Sequence, residues 1–154
     1  MRTKCLTVLC CVLAIAVGKS VAAQDEPQYL FGDIRIPQAR ADEPLREPFS
    51  LSQAVHYLDQ SATAWSGARK CVSCHTTGTY MLVRPALTRQ LGQPPHEMRD
   101  EFVNAFKALA AMQRDDLQKS TRPGQAIYAA AGLVEWDKHV KKTLSAETGQ
   151  ALKL

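Results

Sequence analysis

No stretch of convincing length in this chain alternates apolar and polar residues with the two-residue period of a half-buried strand. Sandwiches, barrels and the βαβ units of parallel-sheet enzymes are therefore not expected. A glycine-rich phosphate-binding loop is missing too, which removes the commonest nucleotide-binding designs. Acidic residues adjoin at Asp42-Glu43 and Asp115-Asp116, but sequence neighbours point apart on a helix or loop, so these pairs read as solvated surface. Nothing in the composition suggests disorder or a fibrous repeat. The 154 residues, 45% hydrophobic and 22% charged, fit one globular domain or a small part of a larger one.

Cysteine and positive charge are scarcer than whole-chain counts suggest. Arg2 and Lys4 precede a nearly unbroken apolar run from Leu6 to Val17, and Val21-Ala22-Ala23 offers small residues for cleavage, the pattern of a secretory signal peptide over residues 1–23. The run is too short to favour a spanning helix. Val8 and Leu9 stand where lipid modification at Cys10 would want small residues. Cleavage before Gln24 removes Cys5, Cys10 and Cys11, so that of five cysteines only Cys71 and Cys74 remain. It also removes Arg2, Lys4 and Lys19, leaving sixteen basic against fifteen acidic residues. A chain so nearly neutral implies neither nucleic acid nor an anionic membrane surface as a partner. The expected location is outside the cytoplasm, periplasmic or membrane-associated, with no membrane span in the mature chain.

Residues 24–49 carry Pro27, Pro37, Pro44 and Pro48 with charges of both signs and no sustained period, and read as an extended arm in which Tyr29, Leu30, Phe31, Ile34 and Ile36 pack locally. Residues 50–154 read as a helical domain. Ser50, with Gln53 three residues on, caps a helix whose Leu51, Val55, Leu58, Ala62 and Trp65 recur at helical spacing through Lys70. Gly67 and Gly78 are expected to lend backbone freedom on either side of the turn that follows. Thr79 to Leu91 is expected to be helical with Pro85 kinking it or restarting it. A long amphipathic helix is expected from Pro95 to Gln118, with Met98, Phe102, Ala105, Phe106, Leu109 and Met112 on its apolar stripe. After Thr121-Arg122-Pro123-Gly124, an alanine-rich helix spans Gln125 to Val140, and Ser145 caps a last segment from Ala146 to Leu154. The fold class is all-α.

The stretch Cys71-Val72-Ser73-Cys74-His75 carries the chemistry. Two thiols separated by two residues can each add to one vinyl group of a haem from a single turn of backbone, and the next histidine is then placed to ligate the iron, so CxxCH reads as a c-type haem attachment site. A structural zinc site needs four protein ligands, and no second CxxC or HxxxH supplies the other half. A CxxC redox disulfide belongs at the start of a helix after a strand, a context missing here. Cys71 and Cys74 are thus the cofactor-binding residues, His75 the proximal iron ligand, and one haem c per chain the cofactor. Export supports this independently, because covalent haem attachment in bacteria is completed outside the cytoplasmic membrane.

The sixth iron ligand stays open. A methionine raises the reduction potential, a second histidine lowers it, and an empty position favours small-ligand chemistry. Met112 and His96 have sufficient separation from His75, and Met81 requires a sharp reversal at Gly78. Met98 suits core packing better and His56 a solvated surface; His139 completes the set. Trp65 and Trp136 are expected in the core or as walls of the haem pocket.

CVSCH behind a signal peptide resembles the c-type cytochromes, a likeness that rests on the motif and on an all-α context. It implies a single-electron carrier working with a redox partner protein rather than a catalyst. Some 47 residues precede Cys71 in the mature chain, a longer lead than the small soluble class has. A second resemblance covers more of the chain. Ala54-Val55-His56-Tyr57-Leu58, Trp65 and Arg69 to His75 look like the opening of exported proteins that carry CxxCH ahead of prenyltransferase and squalene-cyclase-type helical repeats. That likeness implies the first repeats of an α/α toroid with the haem as sensor or structural element. The cyclase's DxDD motif is absent, so cyclase activity is not implied.

Overall fold

The computed structural model describes residues 26–43, 48–72 and 75–154. The leader, with Cys5, Cys10 and Cys11, lies outside the described residues, as do Ser73 and Cys74. In chain order the elements are β1 (Tyr29–Phe31), β2 (Ile34–Ile36), α1 (Leu51–Arg69), α2 (Thr77–Val83), a 3-10 turn (Pro85–Leu87), α3 (Thr88–Leu91), α4 (His96–Ala110), α5 (Arg114–Leu117), α6 (Arg122–Trp136), a π turn (Asp137–Lys141) and α7 (Ala146–Ala151). The class is all-α, with one small hairpin beside the helices. Among the described residues no helix is long and apolar enough to cross a membrane.

The hairpin corrects the expectation of a merely extended arm. Strands β1 and β2 pair antiparallel with Tyr29 opposite Ile36 and Phe31 opposite Ile34, leaving Gly32-Asp33 as a two-residue turn. Gly32 takes φ +58, the left-handed conformation that tight hairpin turns place at glycine. Three residues per strand are too few to show a period, so the signal was the turn dipeptide between two apolar pairs. The hairpin lies on α1, where the Phe31 ring fills the space over Gly67. A Cβ on that glycine would sit 2.4 Å from Phe31 Cε2. Gly67 is therefore there for close approach within a helix, not for the backbone freedom expected of it.

Helix α1 starts as its sequence dictates, with the Gln53 N–H donating to Ser50 Oγ. It ends at Lys70, which takes a left-handed conformation (φ 52) while its N–H still reaches Ser66 O, and so turns the chain into Cys71. Lys70 is held there by Glu101 at 3.0 Å and by the Phe31 ring beneath its ammonium group.

The core lies between α2, α4 and α6. Met98, Phe102, Phe106 and Leu109 of α4 are buried as their period predicts, and they meet Ala129, Leu133 and Trp136 of α6 and Met81 of α2. The long helix expected to reach Gln118 stops instead at Ala110. Gln113 is extended, and Arg114–Leu117 forms a separate turn with Asp115 and Asp116 at its N-terminus, where their charges oppose the positive end of the helix dipole. Met112 consequently leaves the apolar stripe and is exposed. Helix α6 begins three residues earlier than expected, because Pro123 falls in its first turn, where a missing N–H costs nothing. At its other end the chain widens into the π turn, closed by Asp137. The Asp137 carboxylate accepts from the backbone N–H and the hydroxyl of Ser145, both at 2.6 Å, and Ser145 caps α7 by accepting from Thr148 N–H.

Candidate functional site

Helix α1 has an unusual distribution of its apolar side chains. Its Leu51, Val55, Leu58, Ala62 and Trp65 form the stripe expected of a core-facing helix, yet Leu51 and Leu58 are about half exposed. Part of the stripe faces a groove. Leu58, Ser61, Ala62 and Trp65 make one wall; Thr79, Tyr80 and Val83 of α2, with His75 and Thr76 just before it, make the other. Tyr29 of the hairpin and Arg84, Leu87 and Leu91 close it off. The groove holds about 520 Å³, within the range for small-molecule and cofactor sites, and its walls are overwhelmingly apolar. Leu58, Val83 and Leu87 are exposed in it, and a contiguous apolar surface on a folded domain marks a place where something binds.

A rigid polar frame underlies the groove. Arg84 is almost wholly buried and donates from Nε and Nη2 to the two carboxylate oxygens of Asp59, at 2.9 and 3.0 Å, while Nη1 donates to Gly92 O at 2.9 Å. Tyr80 donates its hydroxyl to Asp59 Oδ1 at 2.7 Å. This satisfied network joins α1, α2 and the end of α3, and so fixes the two walls relative to each other. Burial, with the bond to Asp59 and its charge, pushes the Tyr80 phenol far above its ordinary value of 10.0 against the opposing charge of Arg84. Tyr80 is therefore a neutral hydrogen-bond donor. Two hydroxyl oxygens of groove residues, Ser61 Oγ and Thr76 Oγ1, are in contrast buried with no hydrogen-bond partner. Native proteins seldom leave such groups unpaired.

His75 lines this groove from an exposed position, one residue after Cys74 and two before α2. Cys71 is a half-buried free thiol whose sulfur accepts a 3.5 Å contact from Gln125 Nε2 of α6. Sulfur is a weak acceptor, so this contact holds the side chain only loosely. Cys74 lies outside the described residues.

The residues considered for the sixth iron ligand are scattered. Met81 is fully buried in the core, where its Cβ would lie 2.9 Å from a Cβ on Gly132 of α6. His96 opens α4 with its side chain 80% exposed and near Glu97. Met112 is exposed beyond the end of α4. None of the three lines the groove with His75. His56 lines a separate polar hollow with Asp59 and Glu97, His139 pairs with Glu135 at 3.1 Å, and Met98 is fully buried. Of the two tryptophans, Trp65 is a groove wall and Trp136 a core residue.

The sequence left Trp65 open between the core and a pocket wall, and neither the second wall nor the frame was read from it. The signal for Arg84 was present, since an arginine between Val83 and Pro85 is surrounded by apolar residues and needs a partner if buried. Nothing local pointed to Asp59, which lies 25 residues away. Compared with family models, with curated proteins and with solved structures, the chain matches none. The fold and groove define the class alone, an all-α protein with an apolar cleft beside a histidine.

Proposed function

We propose that the chain is an exported monohaem c-type cytochrome-like protein that moves single electrons to or from a redox partner protein. The observation that carries this reading is the joint position of His75, the histidine of a CxxCH sequence, and an apolar groove of cofactor size. The residues present fit the group: Leu58, Ala62, Trp65, Val83 and Leu87 offer flat apolar contact, and the His75 imidazole is the kind of donor that iron takes. Cys71 and Cys74 would hold a haem through thioethers and His75 would ligate its iron. Bound there, the haem supplies one-electron redox chemistry. The chain's own residues set its surroundings. The apolar groove walls would disfavour added charge, and the Asp59–Arg84 pair keeps both walls in place without adding net charge.

The helical-repeat reading makes the same motif the head of a larger stack. Repeats of that kind bury their inner faces on neighbours. Here α4 and α6 bury Phe102, Phe106, Leu133 and Trp136 against each other and α2, so this core does not depend on a neighbouring repeat.

The test is expression with an export signal and haem-maturation machinery, followed by extraction with acidified acetone. The protein is expected to stay red, and a variant carrying Cys71→Ala and Cys74→Ala is expected to lose its colour to the solvent. A colourless wild-type protein would overturn the proposal.

A further inference from the structure

The β1–β2 hairpin closes one side of the groove without belonging to the helical core. Its pairing puts Tyr29, Phe31, Ile34 and Ile36 on one face and Leu30 and Arg35 on the other, and both strands rest on α1. The outward pair is exposed, Leu30 at 62%. On the inward face Ile36 is 2% exposed and the Phe31 ring sits over Gly67, with the Lys70 ammonium 5.5 Å from the ring centre. Tyr29, next to them on that face, lines the groove beside Leu58, Ala62 and Trp65 of α1. The flanking chain adds little. Glu26 and Gln28 are exposed, and so is every described residue from Pro37 to Phe49. Two strands of three residues are not stable in water by themselves, so this pair depends on its seat on α1. A unit held by so few buried side chains opens at a lower free energy than the core it covers.

We infer that the hairpin is a cover that opens as one piece, seated by Ile36 and by Phe31 in the notch at Gly67, and that its opening uncovers the groove on the Tyr29 side while α4 and α6 stay closed. Access to the groove is then set by a small element whose stability is separate from that of the core. The inference concerns the chain's own elements, holds for any apolar occupant, and stands apart from the haem reading. Gly67 supplies the variant that isolates the seat. A Cβ there would meet three atoms of the Phe31 ring at 2.4 and 2.5 Å, so the ring has to leave. Alanine is also the better helix former, so α1 itself is not weakened by the change.

The experiment is amide hydrogen exchange on the full chain as exported, read by mass spectrometry of its peptides. In the wild type the hairpin amides, among them that of Gln28, which donates to Ile36 O at 2.7 Å, are expected to exchange at least about tenfold faster than those of α4 and α6. Hairpin amides as slow as the core would overturn a separate opening. In Gly67→Ala, and in Phe31→Ala, which removes the ring and keeps the glycine, the hairpin is expected to lose about a further tenfold of protection while α4 and α6 are unchanged. Unchanged hairpin protection would overturn the seat, and a loss that extends to α4 and α6 would overturn the independence of the cover. Hydroxyl-radical footprinting of the same proteins reads the groove. Labelling of Trp65 is expected to rise in both variants; labelling equal to the wild type with the hairpin unprotected would overturn its role as a cover.

Discussion

Arg84 holds the two walls of the groove together, and its energetics follow from its burial. Its guanidinium is 2% exposed and its partner Asp59 15%, so each charge depends on the other. Removing one member of such a pair leaves an uncompensated buried charge, and Arg84→Met is expected to cost about 3–5 kcal/mol. Adding Asp59→Asn to it should recover part of that loss, a non-additivity readable in urea unfolding midpoints. Asp137 illustrates the same dependence on protonation. Burial raises its pKa, but the hydrogen bonds from the Ser145 hydroxyl and backbone, the Thr148 hydroxyl and the charge of Arg99 together hold it below the ordinary 3.8. A carboxylate depressed in the folded state stabilises the protein above its unfolded value, and that contribution is lost as pH falls through the folded one. Asp137→Asn is therefore expected to lower stability by about 2 kcal/mol near neutrality and to flatten the acid limb of stability against pH. Equal acid slopes in the two proteins would contradict this.

Among the elements, α6 is the one most constrained by close packing. Gly132 lies where a Cβ would be 2.6 Å from Phe102 Cε1 and 2.9 Å from Met81 Cβ, so α2, α4 and α6 meet at this point. Gly132→Ala is expected to cost about 1–3 kcal/mol through displacement of the ring. Gly149 in α7 has nothing within 4 Å of such a Cβ, and Gly149→Ala is expected to add about 0.5–1 kcal/mol, since alanine is the better helix former. Thermal melts of the two variants should move in opposite directions. Both sit in helices that the sequence made legible through period and caps: Ser50, Ser145 and the Met98, Phe102, Phe106, Leu109 stripe all behave as local chemistry requires. What was not legible is long-range or strained. The break before Gln113 interrupts an intact apolar period, and the hairpin packs by virtue of a glycine, Gly67, thirty-six residues from the Phe31 ring it admits.

At the scale of the whole molecule, the helices divide into a core that satisfies itself and a groove that does not. Met98, Phe102, Leu133 and Met81 have no exposure, while Leu58, Val83 and Leu87 stay open beside His75. The CxxCH sequence lies in five adjacent residues and so could be read directly; that it attaches a haem is the proposal made above. The walls of the groove could not, because the stripe of α1 looks the same whether it faces a core or a cofactor, and the Asp59–Arg84 pairing is set only by the fold. Met112 and His96 were candidates by separation and Met81 only through a sharp reversal at Gly78, and none of the three lines the groove. The central claim is that Cys71, Cys74 and His75 hold one haem. The most direct measurement is the intact mass of the exported protein under denaturing conditions, made with haem-maturation machinery. A mass greater by one haem, absent when both cysteines are alanine, is the expected result; the mass of the bare polypeptide in the wild type would contradict it.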